Sequence, residues 1–138
     1  CFREYGLLTD RSGNFTAMYK PYHLIGLELG ISVASAGLRH EPTGSPEAWH
    51  GDVVATAKRD LKAGETLDGE GGFTVYGRLM PAGDSLAIGG LPLGLAHRVR
   101  LKRPVAGGQP VRWSDVRTDA KDAAVAFRRE MERGFSPR

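Results

Sequence analysis

The sequence predicts a mainly β fold, with a buried helix ahead of the β unit and an amphipathic helix behind it. Three observations predict this. Between residues 52 and 117, short apolar steps alternate with glycine-containing turns, the punctuation of strands joined by tight connections. A short unit occurs almost twice, as "RDLKAGETL" at 59–67 and "RPVAGGQPV" at 103–111. Outside this region, residues 22–38 and the tail from Thr118 carry helical patterning.

The elements follow in chain order. "LLTDRSGNFT", residues 7–16, is polar and turn-rich and reads as a loop. Its "NFT" fits a glycosylation sequon and is taken as chance. Residues 22–38 form the buried helix. Pro21 suits a first helical turn, where its missing N–H costs little. From Leu24 to Leu38 nearly every residue is apolar or small, and the run is too short to span a bilayer. Gly26, Gly30 and Ala34 recur on one stripe, where a second backbone can approach closely. A glycine costs about 1 kcal/mol relative to alanine inside a helix, so two imply a packing need.

"RHEPTGSPEAWHGD", 39–52, reads as a linker. Residues 1–51 are thus expected to end a preceding domain, 52–117 to form the β domain, and 118–138 to form a helix packed on it. In the duplicated unit Leu61 aligns with Val105, Gly64 with Gly108, Glu65 with Gln109 and Leu67 with Val111. Each copy reads as a strand end, a glycine turn and a return strand, and the two can pair about a pseudo-twofold axis. In "HRVRLKR", 97–103, Arg98, Arg100 and Lys102 are expected to share one solvated strand face. No aromatics interleave with them, which argues against nucleic acid. In the tail, Thr118 or Asp119 is expected to cap, and Ala120, Ala124, Phe127 and Met131 to form the stripe that packs on the β unit.

Composition excludes several classes. The 138 residues carry a net charge of +3, which permits an anionic small molecule without demanding nucleic acid. Cys1 is the single cysteine, so an intrachain disulfide and a cysteine zinc site are excluded, in keeping with a reducing, cytoplasmic setting. The abrupt start at Cys1, without signal-like patterning, is read as that of a fragment. "GGLPLG", 89–94, lacks dinucleotide-loop spacing, no P-loop occurs, and His23, His40, His50 and His97 share no ligand spacing, so no metal site is expected.

"VVATAKRDLKAGETL" and "HRVRLKRPVAGGQPVRWSDV" resemble the SAF domain, an antifreeze-like β-clip fold, over about residues 52–117. The resemblance specifies fold well and function poorly, since SAF-bearing proteins differ in chemistry. The flanks "YKPYHLIGLELGISVASAGL" and "ETLDGEGGFTVYG" resemble one group of these, the homoserine-dehydrogenase-like NAD(P)-dependent oxidoreductases that include reductoisomerase-like enzymes. That resemblance implies an N-terminal nucleotide domain binding NAD(P), a catalytic domain, then the SAF module for substrate closure or assembly. It also implies small polyols, hydroxy-carbonyls or sugar phosphates as substrates, no membrane or nucleic-acid partner, and a homo-oligomer. The fragment alone would be inactive. The alternatives are a free-standing carbohydrate-binding or flagellar-chaperone-like module, or the small part of a sugar-acid dehydratase. The last needs a histidine cluster, and the β unit offers only His97.

The candidate site is "YKPYHLIGLE", 19–28, at the mouth of the expected helix, where free N–H groups favour anions. Tyr19, Lys20 and His23 are the candidate catalytic residues: a hydrogen-bonding phenol, a cation, and a group that moves protons near neutral pH. Tyr22, Glu28 and Arg78 are candidates for substrate binding. Glu28 is costly inside a buried helix unless paired or protonated. The competing reading makes both tyrosines packing aromatics and His23 a satisfied histidine. The long glycine-rich excursion 67–94, whose cation is Arg78, is expected to serve an interface rather than catalysis.

Overall fold

The computed structural model describes residues 2–19, 21–22 and 24–134. They divide into two compact units at Ser45–Pro46.

In the first unit, Asp10 organises the loop. Its carboxylate accepts bonds from the Ser12 and Phe15 N–H groups at 3.1 and 3.2 Å. Helix α1 spans Ile25–Ala34 and passes into a π-helical turn, Ser35–Arg39. His40 ends it in the left-handed region at φ 55°. The expected buried helix is therefore present but not buried. No residue of α1 is enclosed, and Leu27 and Ile31 are 70% and 69% exposed. A Cβ built on Gly26 or Gly30 would meet nothing within 4 Å, so the described residues leave the small-residue stripe unused.

The second unit is the β domain. Strands β1 (Gly51–Ala57), β2 (Thr66–Asp68), β3 (Val75–Pro81), β4 (His97–Leu101) and β5 (Val116–Arg117) make two antiparallel sheets. β1 pairs with β3 from Gly51↔Pro81 to Ala57↔Val75, and the other sheet runs β2–β4–β5. Helix α2 (Ala82–Ile88) follows β3, and α3 (Ala123–Gly134) follows β5.

The duplicated unit folds about a pseudo-twofold axis, and its hydrogen bonds come in matched pairs. Leu61 N–H donates to Val105 O at 2.8 Å, and Val105 N–H returns a bond to Leu61 O at 3.0 Å. Gly64 N–H reaches Leu101 O, and Gly108 N–H reaches Ala57 O, both at 2.8 Å. Leu101 N–H bonds Glu65 O, and Ala57 N–H bonds Gln109 O, at 2.8 and 3.0 Å. Each residue in one bond lies 44 positions from its equivalent in the other, as 105 − 61 = 44 shows. The two turns pass through Gly64 and Gly108 at φ +82° and +78°, backbone that glycine enters at no steric cost. Leu61, Leu67, Val105 and Val111 all lie in the core between the two copies. Either copy alone would leave its apolar face in water.

Two expectations about this unit need correction. β4 is bulged against β2, since Thr66 faces Arg100 while Asp68 faces His97. The extra residue breaks simple alternation at Arg98, which takes φ 57°, so Arg98, Arg100 and Lys102 do not form one regular row. The final helix begins later than the caps foreseen at Thr118 or Asp119. Asp122 caps it instead, accepting the Ala124 and Val125 N–H groups at 2.9 and 3.2 Å. Nor does α3 pack through the foreseen stripe: Phe127 is 70% exposed and Ala124 lies in solvent. Of the foreseen stripe Met131 is half-buried; the other half-buried residues are Val125, Arg128, Arg129 and Glu132, so the helix is seated largely by charge.

Candidate functional site

The residues singled out at the mouth of α1 do not form an enclosed site among the described residues. Tyr19 is 87% exposed and Tyr22 also lies largely in solvent. Lys20 and His23 fall outside the described residues. Glu28 is in the first turn of α1 and only half-buried, so the desolvation cost expected of an enclosed carboxylate does not arise. Arg78 belongs to the second unit, on β3 opposite Val54, and is exposed. What the first unit presents is an exposed helix, apolar except at Glu28 and Ser32, followed by a π turn. Beside that turn an open recess of about 550 Å³ is lined by Ile31, Leu38, Arg39 and Pro42 among others.

Two polar clusters in the second unit were not foreseen. The larger joins α3 to β1 and α2. Arg128 donates to both oxygens of Asp52, at 2.9 Å to Oδ1 and 2.6 Å to Oδ2. The Ser85 hydroxyl donates to Asp52 Oδ2 at 2.5 Å. Arg128 Nε also reaches Glu132 at 2.8 Å, and Arg129 reaches the other Glu132 oxygen at 2.6 Å. Each guanidinium stacks on an indole: Arg128 lies 4.6 Å from the Trp49 ring centroid, Arg129 3.8 Å from that of Trp113. Planar bidentate pairing and stacking are geometries an arginine supplies and a lysine does not. Burial alone would raise the Asp52 carboxyl, but the bonds from Arg128 and Ser85 outweigh it and hold it below the usual range. The spacing of Arg128 and Glu132 was the local signal available; the partner Asp52, 76 positions away, left none.

The smaller cluster shapes the loop after β2. The Asp68 carboxylate accepts the Thr74 hydroxyl, the Thr74 N–H at 3.0 Å and the Phe73 N–H at 2.5 Å. The Thr74 hydroxyl above all, with these two N–H groups, pulls the carboxyl down to about 2. The loop so held carries Phe73 out into solvent.

Both depressed carboxyls give the same pH dependence. Their contribution to stability is complete above the unfolded carboxylate range near pH 4 and is lost as pH falls toward 2. Acid titration followed by circular dichroism should therefore show the β domain destabilised below about pH 4. A stability flat from pH 5 to 2 would show that neither carboxylate is favoured by folding.

Among the described residues no group of three or more His, Cys, Asp or Glu side chains is placed to hold a metal. No helix there is long and apolar enough to cross a membrane. The geometry of the second unit, two pseudo-symmetric half-clips closed on each other, agrees with the comparison of families: the SAF domain model matches residues 52–117. Residues 52–117 form a SAF domain. No curated protein matches the chain. The SAF domain thus runs from Asp52, the acid that receives Arg128, to Arg117, the end of β5. Its interior is closed by aliphatic side chains, with Ala55, Leu61, Leu91 and Val111 almost wholly enclosed.

Proposed function

We infer that this region serves a larger NAD(P)-dependent oxidoreductase of the homoserine-dehydrogenase-like kind, with the SAF domain aiding substrate closure or assembly rather than bond-making. The observation that carries this reading is α1: apolar except at Glu28 and Ser32, notched by Gly26 and Gly30, and with no residue enclosed among the described residues. A helix so largely apolar belongs inside protein. A nucleotide-binding domain on the same polypeptide is the cover we propose. Tyr19, Lys20 and His23 would then stand where α1 meets the nicotinamide and the substrate, with Tyr22 and Glu28 proposed to bind a small polyol, hydroxy-carbonyl or sugar phosphate. Domains and subunits so arranged would form a homo-oligomer in the cytoplasm.

The test is the protein expressed with whatever its gene encodes before Cys1. We expect a strand, Gly-x-Gly-x-x-Gly and helix in that segment, and quenching of NADH or NADPH fluorescence on binding. In that protein, Ile31→Glu should weaken cofactor binding or detach the nucleotide domain, because it sets a charge into the covered face of α1. Alanine at Tyr19, Lys20 or His23 should lower turnover by about 10²-fold or more if the group transfers a proton. Unchanged turnover in all three would remove the site, and a gene opening at Cys1 would remove the reading as a whole.

A further inference from the structure

The outer face of the β2–β4–β5 sheet sets two arginines directly against each other. Arg100 on β4 pairs with Arg117 on β5, and Thr66 on β2 faces Arg100 from the other side. The next pair inward, Leu101 and Val116, is fully buried, so the alternation places both arginines on the solvent face. Residues opposite one another on an antiparallel ladder hold their Cβ atoms about 5 Å apart, and like charges there are destabilising.

The neighbourhood does not relieve this. The Arg100 Nε donates to the Gly64 carbonyl at 2.7 Å, which orients the guanidinium over the turn without neutralising it. Among the described residues no acid pairs with Arg117. Asp68 lies on the same ladder, but its carboxylate is occupied by Thr74 and Phe73. Glu65, beside Thr66, is paired with Arg59. Asp115 is paired with Arg103. These three acids are committed elsewhere, and among the described residues neither guanidinium takes part in an ion pair.

We propose that Arg100 and Arg117 form a binding site for a phosphate monoester group on the outer sheet face of the SAF domain. A phosphate monoester carries between one and a half and two negative charges near pH 7 and three acceptor oxygens, enough to accept from two guanidinium forks at once. A single carboxylate neutralises only one of them. Thr66 stands beside Arg100 with a hydroxyl able to donate to the same group. The cross-strand row Thr66–Arg100–Arg117 is short and itself holds no aromatic residue to stack a base, unlike a track for nucleic acid. The site lies outside the chemistry proposed for the mouth of α1, and its test does not depend on that reading.

The decisive measurement is thermal unfolding of the whole chain at constant ionic strength, with sodium chloride exchanged for sodium phosphate or for glucose 6-phosphate. Wild-type protein should gain at least about 3 °C in Tm at saturation. Arg117→Gln should melt at the same temperature as wild type, or higher, without phosphate, because a repulsion is gone. It should lose most of the gain with phosphate. Arg117→Lys, which keeps the charge but not the fork, should show an intermediate gain. Amide chemical shifts on titration should move at Thr66, Arg100 and Arg117. An equal gain in wild type and Arg117→Gln would overturn the proposal, because it would mark a general salt effect. So would a lower Tm for Arg117→Gln in chloride alone, or duplex DNA binding this face more tightly than either phosphate.

Discussion

Arg128→Met should destabilise the SAF domain by about 3–5 kcal/mol, the largest loss expected of any single polar substitution here. Arg128 and Asp52 side chains are only 12% and 6% exposed. Removing the guanidinium leaves the Asp52 carboxylate buried, with only the Ser85 hydroxyl and the Val53 backbone to hold its charge. It also strips Trp49 and Glu132 of their shared partner, and α3 should come away from the sheet. The double variant Asp52→Asn with Arg128→Met removes both charges together. It should recover more than half of the loss, because the penalty lies in the orphaned charge rather than in the pair. Denaturant unfolding of the four proteins in the cycle decides this. A loss below about 1 kcal/mol for Arg128→Met would place the pair with ordinary surface ion pairs, and α3 would then need another anchor.

The second large effect is expected at the centre of the clip. Leu61→Ala should cost about 2–5 kcal/mol, the range for truncating an enclosed leucine. Leu61 is 1% exposed and exchanges both backbone hydrogen bonds with Val105 at the pseudo-twofold crossing. The half-units meet there, so the cavity opens between them and neither side chain set can close it without shifting the other. In a domain of this size the change should lower Tm by roughly 10 °C or more. Val105→Ala, the equivalent position, should cost less, because fewer methyl groups are lost and Val105 is slightly more exposed. Equal, small losses at both would show that the crossing is not where the core is held.

The pseudo-symmetric clip was readable because its constraints are local and repeated. Gly64 and Gly108 mark the turns, Leu61 with Val105 and Leu67 with Val111 mark the inner faces, and the common offset says that they pair. The apolar run of α1 was equally readable as helix, although the described residues do not bury it. The site was less legible. Tyr19 and Tyr22 are exposed, and nothing in their spacing distinguishes aromatics on the surface from aromatics packed in a core.

Local pattern sufficed for the elements and for the duplicated clip, because turn chemistry and side-chain periodicity act over a few residues. Three features needed the folded chain. The seat of α3 is one: amphipathic patterning favoured the Phe127 stripe, yet the helix is held by Arg128 reaching an acid 76 positions away. The bulge that puts Arg98 at positive φ is another, and the facing of Arg100 and Arg117 across the ladder is the third. Each depends on which distant residues are brought opposite one another. Pairing of charges, like register between strands, is decided by the energy of the assembled structure and leaves no periodic trace in the sequence.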